Sequence, residues 1–169
     1  RIDYLLYKGI VPSTILVLMY NKSAQVNFTE RLNKLLGVGQ AKLINVRTMH
    51  SLGNSFLQAF AKAGFIRFDK ILKEYEVDYI LQKLLKTHQK ELKIRKDIDI
   101  ERVELFKEYI ALLKSDLSLS NKKIKVINYS DKKLLAKLFL AFNDECQKLN
   151  AITYDDMIYL PAKFFEKDK

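Results

Sequence analysis

The stretch that decides the fold reads ILVLMYNKSA over residues 15–24. Its first five residues are apolar and mostly branched, which is typical of a strand that is covered on both faces. Asn21 follows almost at once and can cap a helix, because its side-chain oxygen can accept a hydrogen bond from an N–H group of the first turn. The stretch therefore predicts a buried strand at 15–19 that leads directly into a helix.

The same strand-to-helix pattern occurs a second time. Residues 43–46 predict another short strand, and VRTMHSL over residues 46–52 leads into a helix that begins at Ser51. Gly37 and Gly64 are the predicted ends of the two helices. Two strands joined by a helix through short links run parallel, so both strands end at the same edge of the sheet. Open α/β sheets bind their ligands at this edge.

Six side chains at this edge suit contact with phosphate and stacking on a base. They are Tyr20, Asn21, Lys22, Thr48, His50 and Ser51. Four of them also have a purely structural interpretation. Asn21 and Lys22 can be only a cap and a solvated lysine of the first helical turn. His50 can be a hydrogen-bonded core histidine, and Tyr20 can pack against the inserted helices.

The amino-acid composition indicates which class of partner the chain binds. The chain has 30 Lys and Arg against 20 Asp and Glu, a net charge of +10. Residues 1–65 contain eight cationic and only two acidic side chains. This excess favours a polyanionic partner. The single cysteine, Cys146, excludes an internal disulfide and fits a cytoplasmic location. No apolar run is long enough to cross a bilayer, so no membrane partner is expected.

After residue 65 the apolar residues recur at helical spacing under a charged outer face. Two helices are predicted before a polar loop at 114–130, and a third begins after Ser130. Thr153 and Asp156 form a capping box for a last helix, which Pro161 should kink or shorten. The predicted organisation is an α/β layer at 1–65, an inserted helical subdomain at 66–148 and a return helix at 149–169.

Three motifs in order resemble UvrD/Rep-type superfamily 1 DNA helicases. NKSA at 21–24 is similar to the motif T-F-T-N-K-A-A of that family, and TMHSL at 48–52 is similar to T-F-H-S. The stretch from Cys146 to Met157 resembles the family's return helix, often A-x-x-D-F-D-D-L. Tyr20 stands one position after the aromatic residue that stacks in the family.

The resemblance implies a mostly helical α/β fold. It would be a partial RecA-like layer of the P-loop NTPase type, with short parallel strands and an inserted all-α subdomain. The implied function is the single-stranded-DNA-contacting part of an ATP-dependent DNA helicase or translocase that moves three-prime to five-prime. The implied partners are single-stranded DNA and a duplex junction. Asn21 and Lys22 would lie along the strand, and Thr48, His50 and Ser51 would hold its backbone or a base.

The chain has no G-x-x-x-x-G-K-[ST] loop and no Asp-Glu pair after an apolar strand. It also begins at Arg1 within a helical pattern. We therefore expect a section of a longer enzyme that binds no cofactor and hydrolyses no ATP by itself. ATP and Mg²⁺ are expected for the parent protein. The alternative is a non-enzymatic basic helical adaptor that binds nucleic acid or an acidic protein. It would account for the charge but not for the paired strand-to-helix segments.

Overall fold

The structure is a computed structural model that describes residues 1–88, 100–115 and 132–167. Within these ranges the chain is a mostly helical α/β protein with short parallel strands, as predicted. In chain order the elements are α1 (Ile2–Tyr7), β1 (Leu16–Met19), α2 (Lys22–Ala41), β2 (Asn45–Thr48), α3 (Met49–Lys62), β3 (Lys70–Ile71), α4 (Glu74–Thr87), α5 (Ile100–Ser115), α6 (Lys132–Lys148), β4 (Ala151–Ile152) and α7 (Asp156–Lys167).

The chain divides into two compact units, residues 1–56 and residues 57–169. The boundary falls inside α3. The assignment of a motor layer to 1–65, an inserted subdomain to 66–148 and a return helix to 149–169 stays a prediction.

The first unit is built on a two-stranded parallel sheet. β1 and β2 pair in a register that runs from Leu16↔Asn45 to Met19↔Thr48. Val17 and Val46 are partners in this register, and both pack with Phe28 and Leu32 of α2. One face of the sheet is therefore covered by α2, and the apolar core of this unit lies there.

The other face of the sheet is more open than the sequence indicated. Leu16 and Leu18 are 45% and 42% exposed, so the prediction that β1 is covered on both faces is wrong within the described chain. The apolar cluster of this unit contains the residues that alternate with them, such as Val17, and leaves these two leucines outside. A strand with one packed face exposes every second side chain.

β2 and the two helices differ from the prediction at their ends. β2 begins at Asn45 rather than Leu43, because Asn45 N–H donates to the Ile15 carbonyl at 3.0 Å and opens the ladder. α3 begins at Met49 rather than Ser51. Gly37 has φ 77° and interrupts α2 as predicted, but the chain resumes a helical turn up to Ala41.

One leucine on the apolar side of α2 faces solvent. Leu35 is 80% exposed, whereas Leu36 joins the core with Phe28 and Leu32. Leu35 is seven residues after Phe28 and lies on the same side of the helix, so helical spacing does not explain its exposure.

The second unit has a core of three helices, α4, α5 and α6. The predicted apolar stripes supply most of it. Its buried members are Leu72, Ile80, Leu81, Leu84, Leu85, Val103, Phe106, Tyr109, Ile110, Leu113, Leu138, Phe142, Cys146 and Ala151. Leu149 continues the apolar spacing of α6 but is 47% exposed, because α6 ends one residue earlier. Leu92, which continues the apolar spacing that begins at Val77, lies outside the described residues. The same holds for Ser130, which precedes the third predicted helix, and for most of the predicted loop.

A second parallel pair of strands was not predicted. Lys70 and Ile71 of β3 pair with Ala151 and Ile152 of β4. Half of the predicted capping box is present, since Asp156 accepts a hydrogen bond from the Thr153 N–H at 2.8 Å. The Thr153 hydroxyl donates to the same carboxylate at 2.8 Å, and the Asp156 N–H donates to the Thr153 carbonyl instead of the hydroxyl. α7 continues through Pro161 to Lys167.

None of the helices within the described ranges is long and apolar enough to cross a membrane.

Candidate nucleic-acid interface

The two segments predicted to form the site follow strands that end level with each other. Met19 and Thr48 are register partners at the last positions of β1 and β2. The structure therefore brings the segment from Tyr20 to Lys22 beside the segment from Thr48 to Ser51, at the carboxyl edge of the sheet. The role of the six side chains there in binding nucleic acid stays a prediction.

Asn21 is the cap of α2. It has an extended backbone (φ −136°, ψ 172°), and its Oδ1 accepts a hydrogen bond from Ala24 N–H at 2.8 Å. Capping uses only the oxygen of the side-chain amide. The Nδ2 group donates to no atom within the described part of the chain, so the cap interpretation and a role in donating to a ligand are compatible.

Lys22 is exposed and is held in place by its neighbour. Its Nζ donates to Gln25 Oε1 at 3.1 Å, and Gln25 Nε2 donates to the Val46 carbonyl at 2.7 Å. Gln25 thus ties the first turn of α2 to β2. The sequence analysis missed Gln25, because a glutamine in a first helical turn gives no local signal of a contact to a residue 21 positions away.

The second segment is fixed by a similar cap. Thr48 Oγ1 accepts a hydrogen bond from Ser51 N–H at 3.2 Å, which places Thr48 at the start of α3. Ser51 is exposed, while Thr48 and His50 are half-buried. Ser51 also accepts, through its carbonyl, a hydrogen bond from the Ser55 hydroxyl at 3.0 Å.

Arg47 is a further cation at this edge that was not predicted as a site residue. Its Nε donates to Asn45 Oδ1 at 2.8 Å, and one terminal nitrogen donates to Ser55 Oγ. Both partners are neutral, so neither of them compensates the positive charge of the guanidinium. Its remaining N–H donors can still contact a ligand. Its position in an acid-poor segment, one residue before Thr48, was the signal that could have identified it.

Tyr20 is 90% exposed. The interpretation in which its ring packs against the inserted helices stays a prediction. An exposed aromatic ring beside fixed hydrogen-bond donors is the arrangement that single-stranded nucleic acid uses for base stacking.

The electrostatics of the first unit favour an anion. Residues 1–56 contain seven Lys and Arg and two acids, Asp3 and Glu30. None of the seven cations forms an ion pair with another residue that the structure describes. Unpaired cations attract a polyanion most strongly, because no protein carboxylate competes for them.

Other titratable residues have structural roles. Cys146 is buried in the helical core, and burial raises the pKa of its thiol to about 11. The His88 ring contacts the Leu84 carbonyl through Nδ1 at 3.0 Å. Asp156 is paired with Lys114, and Asp155 is exposed, which agrees with a helix-terminal role rather than an acid–base pair.

In the ranges that the structure covers, no three His, Cys, Asp or Glu side chains converge on one point. ATP and Mg²⁺ stay expectations for the parent protein.

Comparison with known proteins agrees with the motifs. The family model described as UvrD/REP helicase N-terminal domain matches residues 1–169, so the resemblance drawn from the three motifs is confirmed at the level of the family. No curated protein matches the chain.

Proposed function

Because this chain belongs to the UvrD/REP helicase N-terminal domain family, we propose that it contacts single-stranded DNA along the carboxyl edge of β1 and β2. The observation that carries the proposal is that β1 and β2 end at residues that are register partners, Met19 and Thr48. It sets two helix starts side by side, each with its cap and with polar side chains beside it.

The proposed contacts divide by chemistry. The Asn21 amide, the Thr48 hydroxyl and the Ser51 hydroxyl are short donors on fixed backbone, suited to phosphate oxygens. Lys22 and Arg47 supply charge, and each is held by neutral partners. Tyr20 supplies an exposed ring for stacking. His50 lies between the two hydroxyl residues, in the first turn of α3.

In the enzyme cycle, this edge would hold the strand backbone while ATP-driven closure elsewhere in the parent protein moves the domains. ATP and Mg²⁺ would act there through motifs that this chain does not contain. Movement three-prime to five-prime, and action at a duplex junction, rest on the family resemblance.

Binding is tested by fluorescence anisotropy with a labelled oligothymidylate at several salt concentrations. If about 3–4 phosphates are neutralised, the logarithm of the binding constant should fall against the logarithm of salt with a slope of about −2 to −3. Binding that does not change with salt would contradict the proposal.

Asn21→Asp tests the edge without removing the cap, because Asp caps a helix as well as Asn. The variant loses the Nδ2 donor and places a negative charge next to phosphate. A lost hydrogen bond and a repulsion of about 1 kcal/mol each predict roughly tenfold to thirtyfold weaker binding. The helical content and the melting temperature should not change.

Asn27→Asp is the matched control. Asn27 is also exposed on α2 but lies beyond the first turn. It introduces the same charge, so a general electrostatic effect would weaken binding equally in both variants. Equal weakening, or no effect of Asn21→Asp, would refute a specific role for this edge and would favour the basic adaptor.

A further inference from the structure

A cavity in the second unit has a lining that neither the motifs nor the proposed DNA-contacting edge uses. It has a volume of about 570 Å³ and lies between α6, α7 and the segment that precedes β3. The six side chains that carry the argument are Arg67, Asn143, Gln147, Asn150, Tyr159 and Lys163. A cavity of this size is in the range of small-molecule and cofactor sites.

The two cationic side chains of this cavity can contact a ligand. Arg67 and Lys163 are exposed and form no ion pair with any residue that the structure describes. Lys163 Nζ lies 5.4 Å from the centre of the Tyr159 ring. The one carboxylate in the lining, Asp156, is already occupied by Lys114 at 2.8 Å and by two hydrogen bonds from Thr153.

Three side-chain amides of this cavity can also contact a ligand. Asn143 and Gln147 are four residues apart on α6 and so share one face. Asn150 follows the end of α6 with φ 45°, a left-handed conformation that asparagine tolerates better than most residues. None of the three side-chain amides hydrogen-bonds to another residue in the described ranges. Each amide offers both a donor and an acceptor, which is what the edge of a nucleobase requires.

We propose that this cavity binds a nucleotide as one unit of a nucleic-acid strand. The phosphate lies against Arg67 and Lys163, and the base edge meets the amides of α6 and Asn150. Phe68 and Phe139 supply apolar wall for the faces of the base. The proposal rests on the proposed function for its strand, but its residues are separate from the edge of β1 and β2.

The test is a two-dimensional NMR titration of the ¹⁵N-labelled chain with thymidine monophosphate, inorganic phosphate and oligothymidylate. Side-chain amide signals of Asn143, Gln147 and Asn150 report on the cavity. The Asn21 side-chain amide reports on the edge of β1 and β2. We expect the monophosphate and the oligonucleotide to shift the cavity signals, and inorganic phosphate to shift them only weakly.

Arg67→Ala should weaken the monophosphate affinity about tenfold, the effect of one lost charge-assisted hydrogen bond. Gln147→Glu keeps the size of the side chain and should also weaken the monophosphate affinity, because it removes an amide donor to the base edge and adds a negative charge to the site. Lys62→Ala removes an exposed cation outside the cavity and should change the affinity less than twofold. Unchanged far-UV circular dichroism of each variant shows that folding is intact.

The outcomes separate the two proposals. Oligonucleotide shifts at Asn21 without shifts in the cavity would overturn this inference and leave the proposed function standing. Cavity shifts that survive Asn21→Asp would support the inference independently. If inorganic phosphate shifted the cavity signals as much as the monophosphate does, the cavity would be a general anion site. The proposed recognition of a base would then be overturned. A response to the monophosphate but not to the oligonucleotide would overturn the assignment to a strand.

Discussion

The buried ion pair between Lys114 and Asp156 gives the strongest prediction about stability. Lys114 Nζ lies 2.8 Å from Asp156 Oδ1 and donates to Thr153 Oγ1 at 2.9 Å. The two charged side chains are 2% and 10% exposed. The Lys114 ammonium also lies 5.7 Å from the centre of the Phe142 ring. The pair therefore joins α5 to the start of α7 inside the second unit.

Asp156→Asn removes the charge but keeps an oxygen for the capping box. It leaves the Lys114 ammonium buried without a counter-charge, which costs about 3–5 kcal/mol when one partner of a buried pair is removed. Such a loss is a large share of the roughly 5–15 kcal/mol that stabilises a typical domain. Lys114→Met should cost less, about 2–3 kcal/mol, because Asp156 keeps both hydrogen bonds from Thr153.

Urea unfolding followed by far-UV circular dichroism measures the free energy of unfolding of the two single variants and of the double variant. The double variant should lose no more than Asp156→Asn alone, because no charge is left unpaired in it. Asp155→Asn is the control at the next residue, which is exposed, and should change the free energy of unfolding by no more than about 0.5 kcal/mol. A loss below about 1 kcal/mol for Asp156→Asn, or additive single effects, would refute the reasoning.

Two further predictions follow from pKa shifts. Burial raises the pKa of Cys146 to about 11 from 9.0, so its thiolate fraction near neutral pH is about 100-fold below that of an ordinary thiol. Ellman's reagent should react with the native chain at least that much more slowly than with the chain in urea, and equal rates would contradict a buried thiol. Hydrogen bonds from Lys148 and then Lys83 lower the pKa of Glu145 from 4.5. The stabilisation by Glu145 is therefore complete above pH 4.5 and is lost as the pH falls through the lower folded value. Between pH 6 and pH 3 the melting temperature of Glu145→Gln should fall less than that of the unsubstituted chain. Equal falls in the two melting temperatures would count against a stabilising contribution from the Glu145 carboxylate.

Local patterns in the sequence were sufficient for much of the fold. The Asn21 cap and the hydrogen bond from the Thr153 N–H to Asp156 were predicted correctly, because each joins atoms three residues apart. The parallel pairing of β1 and β2 followed from the short links around α2. The apolar stripes of α4 and α5 followed from helical periodicity.

Contacts between distant residues were not predictable in this way. Nothing near Lys114 indicates that it is buried against Asp156, since the two residues meet only when α5 packs beside the start of α7. Two-residue strands such as β3 and β4 are too short to show any periodicity. The same holds for Gln25 and Arg47, whose hydrogen bonds to Val46 and Ser55 fix the predicted edge.

The sequence by itself determined where strands turn into helices and which polar side chains stand at those turns, because caps and periodicity act within a few residues. Only the tertiary structure decided that Met19 and Thr48 end level, that Leu16 and Leu18 stay half exposed, and which charged groups are paired. These features depend on how separate elements pack, and packing is set by the shape of the whole unit rather than by any one segment.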